Sequence, residues 1–125
     1  MSLKIESVVN GESPDAEYVR IKVLDTVNIE GYAIVDRTFD AKGNLSNEFR
    51  HIFVFPSTVV EKGDWIRLYS GKNAYKAVRN LQDTASIHKF YWGADNCVWN
   101  NNGGDRATLI RYSVIDGVDV PALDQ

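Results

Sequence analysis

The side chains that could act in acid–base chemistry are few in this sequence, and none of them stands in a known motif. The two histidines, His51 and His88, lie far apart, each inside an alternating apolar stretch. General acid–base catalysis needs such a group within hydrogen-bond reach of a substrate, together with a partner that orients it. Neither histidine has such a partner nearby in sequence. We therefore expect a protein that is not an enzyme, and no catalytic residue is named.

The candidate nucleophiles also lack the neighbours that would activate them. The serines Ser57, Ser70 and Ser86 do not occupy the Gly-x-Ser-x-Gly turn of a hydrolase. Cys97 is the single cysteine, and it has neither an adjacent base nor partners for a disulfide or a zinc site. A buried, inert thiol is the better interpretation. A cryptic hydrolase is kept as the alternative that a triad of side chains in the folded chain would support.

No pattern for a metal ion or a cofactor is present in the sequence. Asp15, Asp36 and Asp40 do not follow the spacing of a calcium loop, so we interpret them as solvated turn residues. No Gly-rich phosphate loop joins a strand to a helix. The expectation is therefore no metal and no cofactor.

Length and composition describe one globular domain, residues 1–125. Of the 125 residues, 44% are hydrophobic and 25% are charged, and a chain of this size buries a core without disulfides or metal. Fourteen Lys and Arg against 17 Asp and Glu give a formal charge of -3, which disfavours a general nucleic-acid binder. The local basic run from Lys72 to Arg79 favours one.

The sequence contains neither a signal peptide nor a segment of transmembrane length, so no membrane insertion is expected. The compartment stays open. The unpaired Cys97 fits a reducing cytoplasm, whereas a domain cut from a longer protein would fit a surface or secreted context.

The elements that must position these side chains are strands. Val19, Ile21 and Val23 alternate with basic residues, and Ile66 and Leu68 alternate with Trp65, Arg67 and Tyr69. This alternation is the pattern of half-buried strands. Further strands are predicted at 29–35, 37–39, 49–55, 86–92 and 106–112. Turns are predicted at Asp40–Gly43, Glu61–Asp64 and Asn100–Asp105. Many short strands predict an all-β fold, a β-sandwich of two antiparallel sheets.

Two segments are harder to assign from the pattern alone. Residues 71–85 are expected to form a long loop with one or two turns of helix, because apolar residues at 74, 78, 81 and 85 are spaced for a helix face. A last short strand is expected at Val114–Ile115 or at Val118–Val120, before Pro121.

Five segments of the sequence follow the order that they have in the lamin-tail domain family. The chain therefore resembles this family, in particular its bacterial members. The segments are Glu17–Ile21, Ile29–Tyr32, Phe53–Pro56, Val59–Ser70 and Trp99–Leu109. The resemblance spans about residues 17–112. Tyr32 stands where the family more often has Trp.

The resemblance implies an immunoglobulin-like domain that acts as an interaction module. Lamin-tail domains of nuclear lamins contact protein and DNA partners, and bacterial versions also occur as accessory domains beside hydrolases. Protein–protein recognition or self-association is accordingly the first hypothesis for function. The alternatives are binding of carbohydrate or nucleic acid, and a role as an accessory domain of a secreted hydrolase.

A candidate binding surface follows from the strand pattern. If Ile66 and Leu68 face the core, their neighbours are left near solvent, where aromatic and Arg side chains are enriched at interfaces. A second aromatic cluster follows Lys89. The predicted surface residues are Trp65, Arg67, Tyr69, Lys89, Tyr91, Trp92 and Trp99. The opposing interpretations are that loop 71–85 covers the first group and that the second group belongs to the core.

Overall fold

The computed structural model describes residues 1–39, 42, 45–79, 84–99 and 105–123, and within them the chain is built of strands. The ten strands of these ranges are β1 (Leu3–Val9), β2 (Tyr18–Val23), β3 (Val27–Asn28), β4 (Tyr32–Phe39), β5 (Leu45–Val54), β6 (Val59–Val60), β7 (Trp65–Tyr69), β8 (Lys76–Arg79), β9 (Ser86–Tyr91) and β10 (Asp105–Arg111). A single 3-10 turn, Pro14–Ala16, precedes β2. The all-β class predicted from the sequence is confirmed. Most residues of the predicted turns at 40–43 and 100–105 lie outside the described ranges.

The strands form three sheets. The largest has the order β1-β2-β7-β9-β8, a second has the order β10-β4-β5, and β3 pairs with β6. The prediction of purely antiparallel sheets is wrong for the largest, because β7 and β9 run parallel. After β7 the chain passes beyond the position of β9, forms β8, and returns antiparallel into β9 between the two.

The helical turns predicted within residues 71–85 are wrong for residues 71–79, because Lys76–Arg79 is strand β8, and residues 80–83 lie outside the described ranges. Lys76 pairs with Lys89, and Val78 pairs with Ile87. Strand β8 extends the plane of the sheet and does not lie over Trp65 and Tyr69. Tertiary pairing with β9 has overridden the weak helical spacing, as happens where no cap fixes a helix start.

The predicted last strand is also wrong. Strand β10 ends at Arg111, and residues 113–123 have no regular structure. Tyr112 still donates its backbone N–H to the carbonyl of Gly31, at 2.8 Å. A strand is held by hydrogen bonds to a neighbouring strand, and residues 113–123 pair with no strand in the described part of the chain.

The core gathers the inward side chains of the two larger sheets. In β2 and β7, Val19 pairs with Leu68 and Ile21 pairs with Ile66, and all four are fully buried. The prediction that Ile66 and Leu68 face the core is therefore confirmed. The aromatic centre lies among Phe53, Phe55 and Phe90, with ring centroids 5.1–6.3 Å apart, and such rings supply the largest buried areas per residue.

A buried carboxylate joins three parts of the chain beside this core. Glu17 is fully buried, and its Oε1 accepts hydrogen bonds from the Ser70 hydroxyl at 2.6 Å and the Val98 backbone N–H at 2.7 Å. The Trp99 N–H donates to the same oxygen at 3.3 Å. One side chain thus fixes the beginning of β2, the end of β7 and the segment that follows β9.

Candidate binding face

The outward side chains of the five-stranded sheet form one continuous surface, which we call the outer face. Strands β2, β7 and β9 alternate between buried and half-buried residues, so every second side chain points away from the core. Cross-strand register aligns these side chains in rows. The rows are Tyr18–Tyr69–Tyr91, then Arg20–Arg67–Lys89–Lys76, then Lys22–Trp65–Ile87–Val78.

The tyrosine row is a ladder of neighbouring rings. The Tyr18 and Tyr69 ring centroids lie 4.8 Å apart, and those of Tyr69 and Tyr91 lie 5.3 Å apart with nearly parallel planes. Burial, together with the nearby Tyr69 and Asp15, raises the pKa of Tyr91 above its ordinary value.

The cations of the outer face lie on its aromatic rings. The Arg20 guanidinium and the Lys22 ammonium each lie 4.4 Å from the centroid of Trp65. The Arg67 guanidinium lies 5.1 Å from the Tyr18 centroid, and its Nη1 donates to the Tyr69 hydroxyl at 3.4 Å. Each such cation–π contact is worth about 0.5–1 kcal/mol at an exposed site. The rings therefore hold the charges in place, and the charges in turn cover the ring faces.

Charge is distributed unevenly between this sheet and the rest of the molecule. Its five strands contain a single carboxylate, Glu6, which is the extra residue of the bulge in β1. They contain seven cations, Lys4, Arg20, Lys22, Arg67, Lys76, Arg79 and Lys89. The remaining residues of the chain therefore hold seven Lys and Arg against sixteen Asp and Glu. The formal charge of the whole chain conceals this strongly basic sheet.

No family model, curated protein or solved structure matches this chain. The outer face and its charges therefore carry the functional interpretation. Among the described residues, no helix is long and apolar enough to cross a membrane. In the same part of the chain, no group of three or more His, Cys, Asp or Glu side chains could hold a metal ion.

The structure brings together five of the seven predicted surface residues and separates two. Those on the outer face are Trp65, Arg67, Tyr69, Lys89 and Tyr91. Trp99 is only 5% exposed and packs into the core, with the Trp92 ring 5.9 Å away at a steep angle. Trp92 is packed against the same core. These two tryptophans therefore lie away from the outer face.

Six residues of the outer-face rows were not among the predicted surface residues: Tyr18, Arg20, Lys22, Lys76, Ile87 and Val78. Tyr18, Arg20 and Lys22 alternate with apolar residues in the same manner as Trp65 to Tyr69. That shared alternation was the available signal. Which two segments become neighbours depends on pairing between residues far apart in the chain, which no local pattern specifies.

A partly buried hydrogen-bonded chain on the inner side of the same sheet was not predicted from the sequence. His88 Nε2 lies 2.9 Å from Asp64 Oδ2, and His88 Nδ1 lies 2.9 Å from the Tyr75 hydroxyl. The Asp64 carboxylate also accepts the backbone N–H groups of Glu61 and Ser86 at 3.0 and 3.1 Å. Burial alone would raise the pKa of Asp64, but these hydrogen bonds, that from His88 first, outweigh it and lower the pKa below its ordinary value.

This Asp64–His88–Tyr75 chain has the layout of a triad with a tyrosine hydroxyl in the third place. Burial and the nearby Asp64 carboxylate raise the pKa of Tyr75 above its ordinary value. Tyr75 directly precedes β8. The Asp64–His88–Tyr75 hydrogen bonds therefore fasten the beginning of that edge strand to β9 and to the turn before β7.

Proposed function

We propose that this protein is a non-enzymatic interaction module that recognises an acidic segment of a partner protein through its outer face. The observation that carries the proposal is the row Arg20–Arg67–Lys89–Lys76, which crosses four neighbouring strands. Four cations on a rigid sheet match carboxylates spaced along an extended peptide. Ring contacts hold Arg20 and Arg67 in place, so these two lose less side-chain entropy on binding than mobile surface charges do.

The contacts of the rings favour an acidic protein over nucleic acid or a neutral sugar. Binding to a single strand of nucleic acid relies on open aromatic faces on which the bases stack. Here Arg20 and Lys22 lie over Trp65, and Arg67 lies over Tyr18. Stacking of a base or a sugar would first require these cations to leave the rings. Carboxylates reach the same cations from the solvent side without that rearrangement.

For the fold, our proposal is an immunoglobulin-like sandwich of the lamin-tail type. The inward residues of the β1-β2-β7-β9-β8 and β10-β4-β5 sheets share one core, which supports two facing layers. Glu17 and Gly31, which belong to the segments that carry the resemblance, both have structural roles. A role in interaction is what that resemblance implies.

The first test measures binding of a short poly-L-glutamate by isothermal titration calorimetry at about 0.05 M and about 0.2 M salt. We expect binding that weakens with salt. The double variant Arg20→Gln/Lys89→Gln should bind about ten-fold more weakly, since it removes two cations from the central row. Unfolding in urea checks that this variant is folded.

The matched control is Lys62→Gln/Arg106→Gln, because both side chains are exposed and lie outside the five-stranded sheet. It changes the net charge by the same amount and should bind as the parent does. Equal losses in both variants would show a general charge effect and contradict the proposal. Tighter binding of a thymidine oligonucleotide than of poly-L-glutamate would shift the assignment to nucleic acid.

A further inference from the structure

The five-stranded sheet ends in an open edge. Strand β8 is the last strand of the sheet and pairs with β9 on one side. All four of its residues are exposed, with Val78 at 40%. The backbone groups on its other side have no strand partner in the described part of the chain. Such an edge is a template for a further strand unless it is protected.

A second unpaired segment, residues 113–123, follows β10 of the three-stranded sheet. It has no regular structure, and its large apolar side chains are almost completely exposed, at 84–95%. They are Val114, Ile115, Val118, Val120 and Leu123. Exposure of five apolar side chains to water is unfavourable, and their burial against a partner would lower the free energy. Asp116 and Asp119 lie between them.

We propose that Ile115–Asp119 of one copy adds as a strand to β8 of a second copy. The two sequences complement each other at every position when they are aligned in parallel. Asp116 then lies opposite Lys76, and Asp119 lies opposite Arg79. Both charge pairs have the same spacing of three residues, so one register satisfies both. Opposite charges directly across neighbouring strands stabilise the pairing, and like charges there oppose it.

The apolar residues fit the same register. Val118 lies opposite Val78, which is 40% exposed, and Ile115 lies opposite Tyr75, which is 45% exposed. Gly117 lies opposite Ala77, and a Cβ at Gly117 would meet no atom within 4 Å. Residues directly opposite each other point to the same side of a sheet. Within each charged or apolar pair, the two side chains therefore lie on the same side of the sheet.

The added strand belongs to another molecule, because within one copy the segment extends from the other sheet without pairing to β8. Each copy then has one donor segment and one acceptor edge, which are different surfaces. Contacts of that kind join molecules head to tail, in a ring where the rotation closes and in an open chain where it does not. This inference does not depend on whether the outer face binds an acidic partner.

The test is sedimentation velocity of the full chain and its charge variants over concentrations up to about 1 mM. We expect the parent to associate with rising concentration. Asp116→Lys/Asp119→Lys and Lys76→Asp/Arg79→Asp should each associate at least about ten-fold more weakly, since each turns two attractions into repulsions. An equimolar mixture of these two variants should associate again, because the donor of one then matches the acceptor of the other.

The control is Glu12→Lys/Asp25→Lys, which reverses two exposed carboxylates outside the segment and should associate as the parent does. Circular dichroism checks that each variant is folded. A parent that stays monomeric throughout, association that survives both reversals, or a mixture that fails to associate would each overturn the inference. Binding of poly-L-glutamate by the Asp116→Lys/Asp119→Lys variant keeps the outcome separate from that for the outer face.

Discussion

At the scale of single residues, the buried carboxyl groups of Glu17 and Asp64 stabilise this fold in different ways. Asp36 in β4 is also fully buried, and its Oδ2 lies 3.0 Å from His51 Nδ1, so the interpretation of Asp36 as a solvated turn residue is wrong. Glu17 accepts three hydrogen bonds through one oxygen, and its Oε2 has no hydrogen-bond partner among the described residues. Asp64 uses both oxygens and is joined to His88. The first links distant segments of chain, whereas the second fastens one turn and one edge strand to the sheet.

Replacing Glu17 with alanine should lower the free energy of unfolding by about 3 kcal/mol, because three donors lose a charged acceptor in a buried place. Glu17→Gln should lose less, since its amide oxygen can still accept. Urea unfolding at neutral pH measures both. The exposed Glu12 provides the comparison, and Glu12→Ala should leave stability nearly unchanged. A loss below about 1 kcal/mol for Glu17→Ala would contradict the role given to this side chain.

Asp64 should make the stability of the protein depend on pH in the acid range. The native pKa lies below the ordinary value of 3.8, so the carboxylate stabilises the fold above that pH. This contribution is lost as the pH falls through the lower native pKa. Asp64→Asn should lose about 1.5–3 kcal/mol at neutral pH, and the difference from the parent should shrink as the pH falls.

Urea unfolding between about pH 7 and pH 2 measures that dependence. Asp25→Asn is the control, since Asp25 is an exposed turn residue. A difference between parent and Asp64→Asn that stays constant over the whole range would show that ionisation of Asp64 does not stabilise the fold.

At the scale of elements, two glycines with positive φ have different structural roles. Gly31 (φ 91°) and Gly63 (φ 93°) both adopt a backbone conformation that side chains disfavour. A Cβ at Gly31 would lie 3.3 Å from the Tyr112 carbonyl oxygen, whereas one at Gly63 would meet nothing within 4 Å. Gly31 therefore also permits the close approach of the chain beyond β10.

Substitution by alanine separates these two effects. Gly63→Ala should lower the free energy of unfolding by about 1–2 kcal/mol, the cost of the left-handed conformation alone. Gly31→Ala should lose more, and hydrogen exchange should show weaker protection of the Tyr112 amide, which donates to the Gly31 carbonyl. Equal losses with unchanged protection would mean that the approach of Tyr112 does not constrain residue 31.

The strands differed in how far the sequence predicted them. Alternation at Val19–Val23 and at Ile66–Leu68 predicted β2 and β7, because each buries one face only. Strand β8 was missed, since its four exposed residues form no alternating pattern and only pairing with β9 makes them a strand. The parallel order of β7 and β9 depends on the path of the chain between them, which no local pattern describes.

The outer face was predicted in part for the same reason. Trp65 and Tyr69 were predicted correctly to point away from Ile66, because alternation within a strand is local. Arg20 was missed as a member of the site, because its neighbours come from strand pairing over long sequence distance. The prediction that Trp99 points outward is wrong, because the chain after β9 folds back and the Val98 and Trp99 N–H groups donate to Glu17.

At the scale of the whole molecule, half of the Lys and Arg residues lie in the strands of one sheet, and nearly all Asp and Glu residues lie outside those strands. The strands of the β1-β2-β7-β9-β8 sheet hold seven cations against Glu6, and the remaining sixteen Asp and Glu of the chain lie outside these strands. A total of -3 therefore describes neither part. Both proposed contacts, the outer face with an acidic partner and β8 with residues 115–119, draw on this division.

The seven cations give the strands of this sheet a local positive field, against the single carboxylate Glu6. A partner with a negative field would turn the protein before the two touch, so that a greater share of encounters begins with the basic sheet in front. The effect reaches only about 8–10 Å at physiological salt, the range over which such fields persist. Orientation during approach, and with it the rate of association, is thus a property of how the strands are arranged rather than of the net charge.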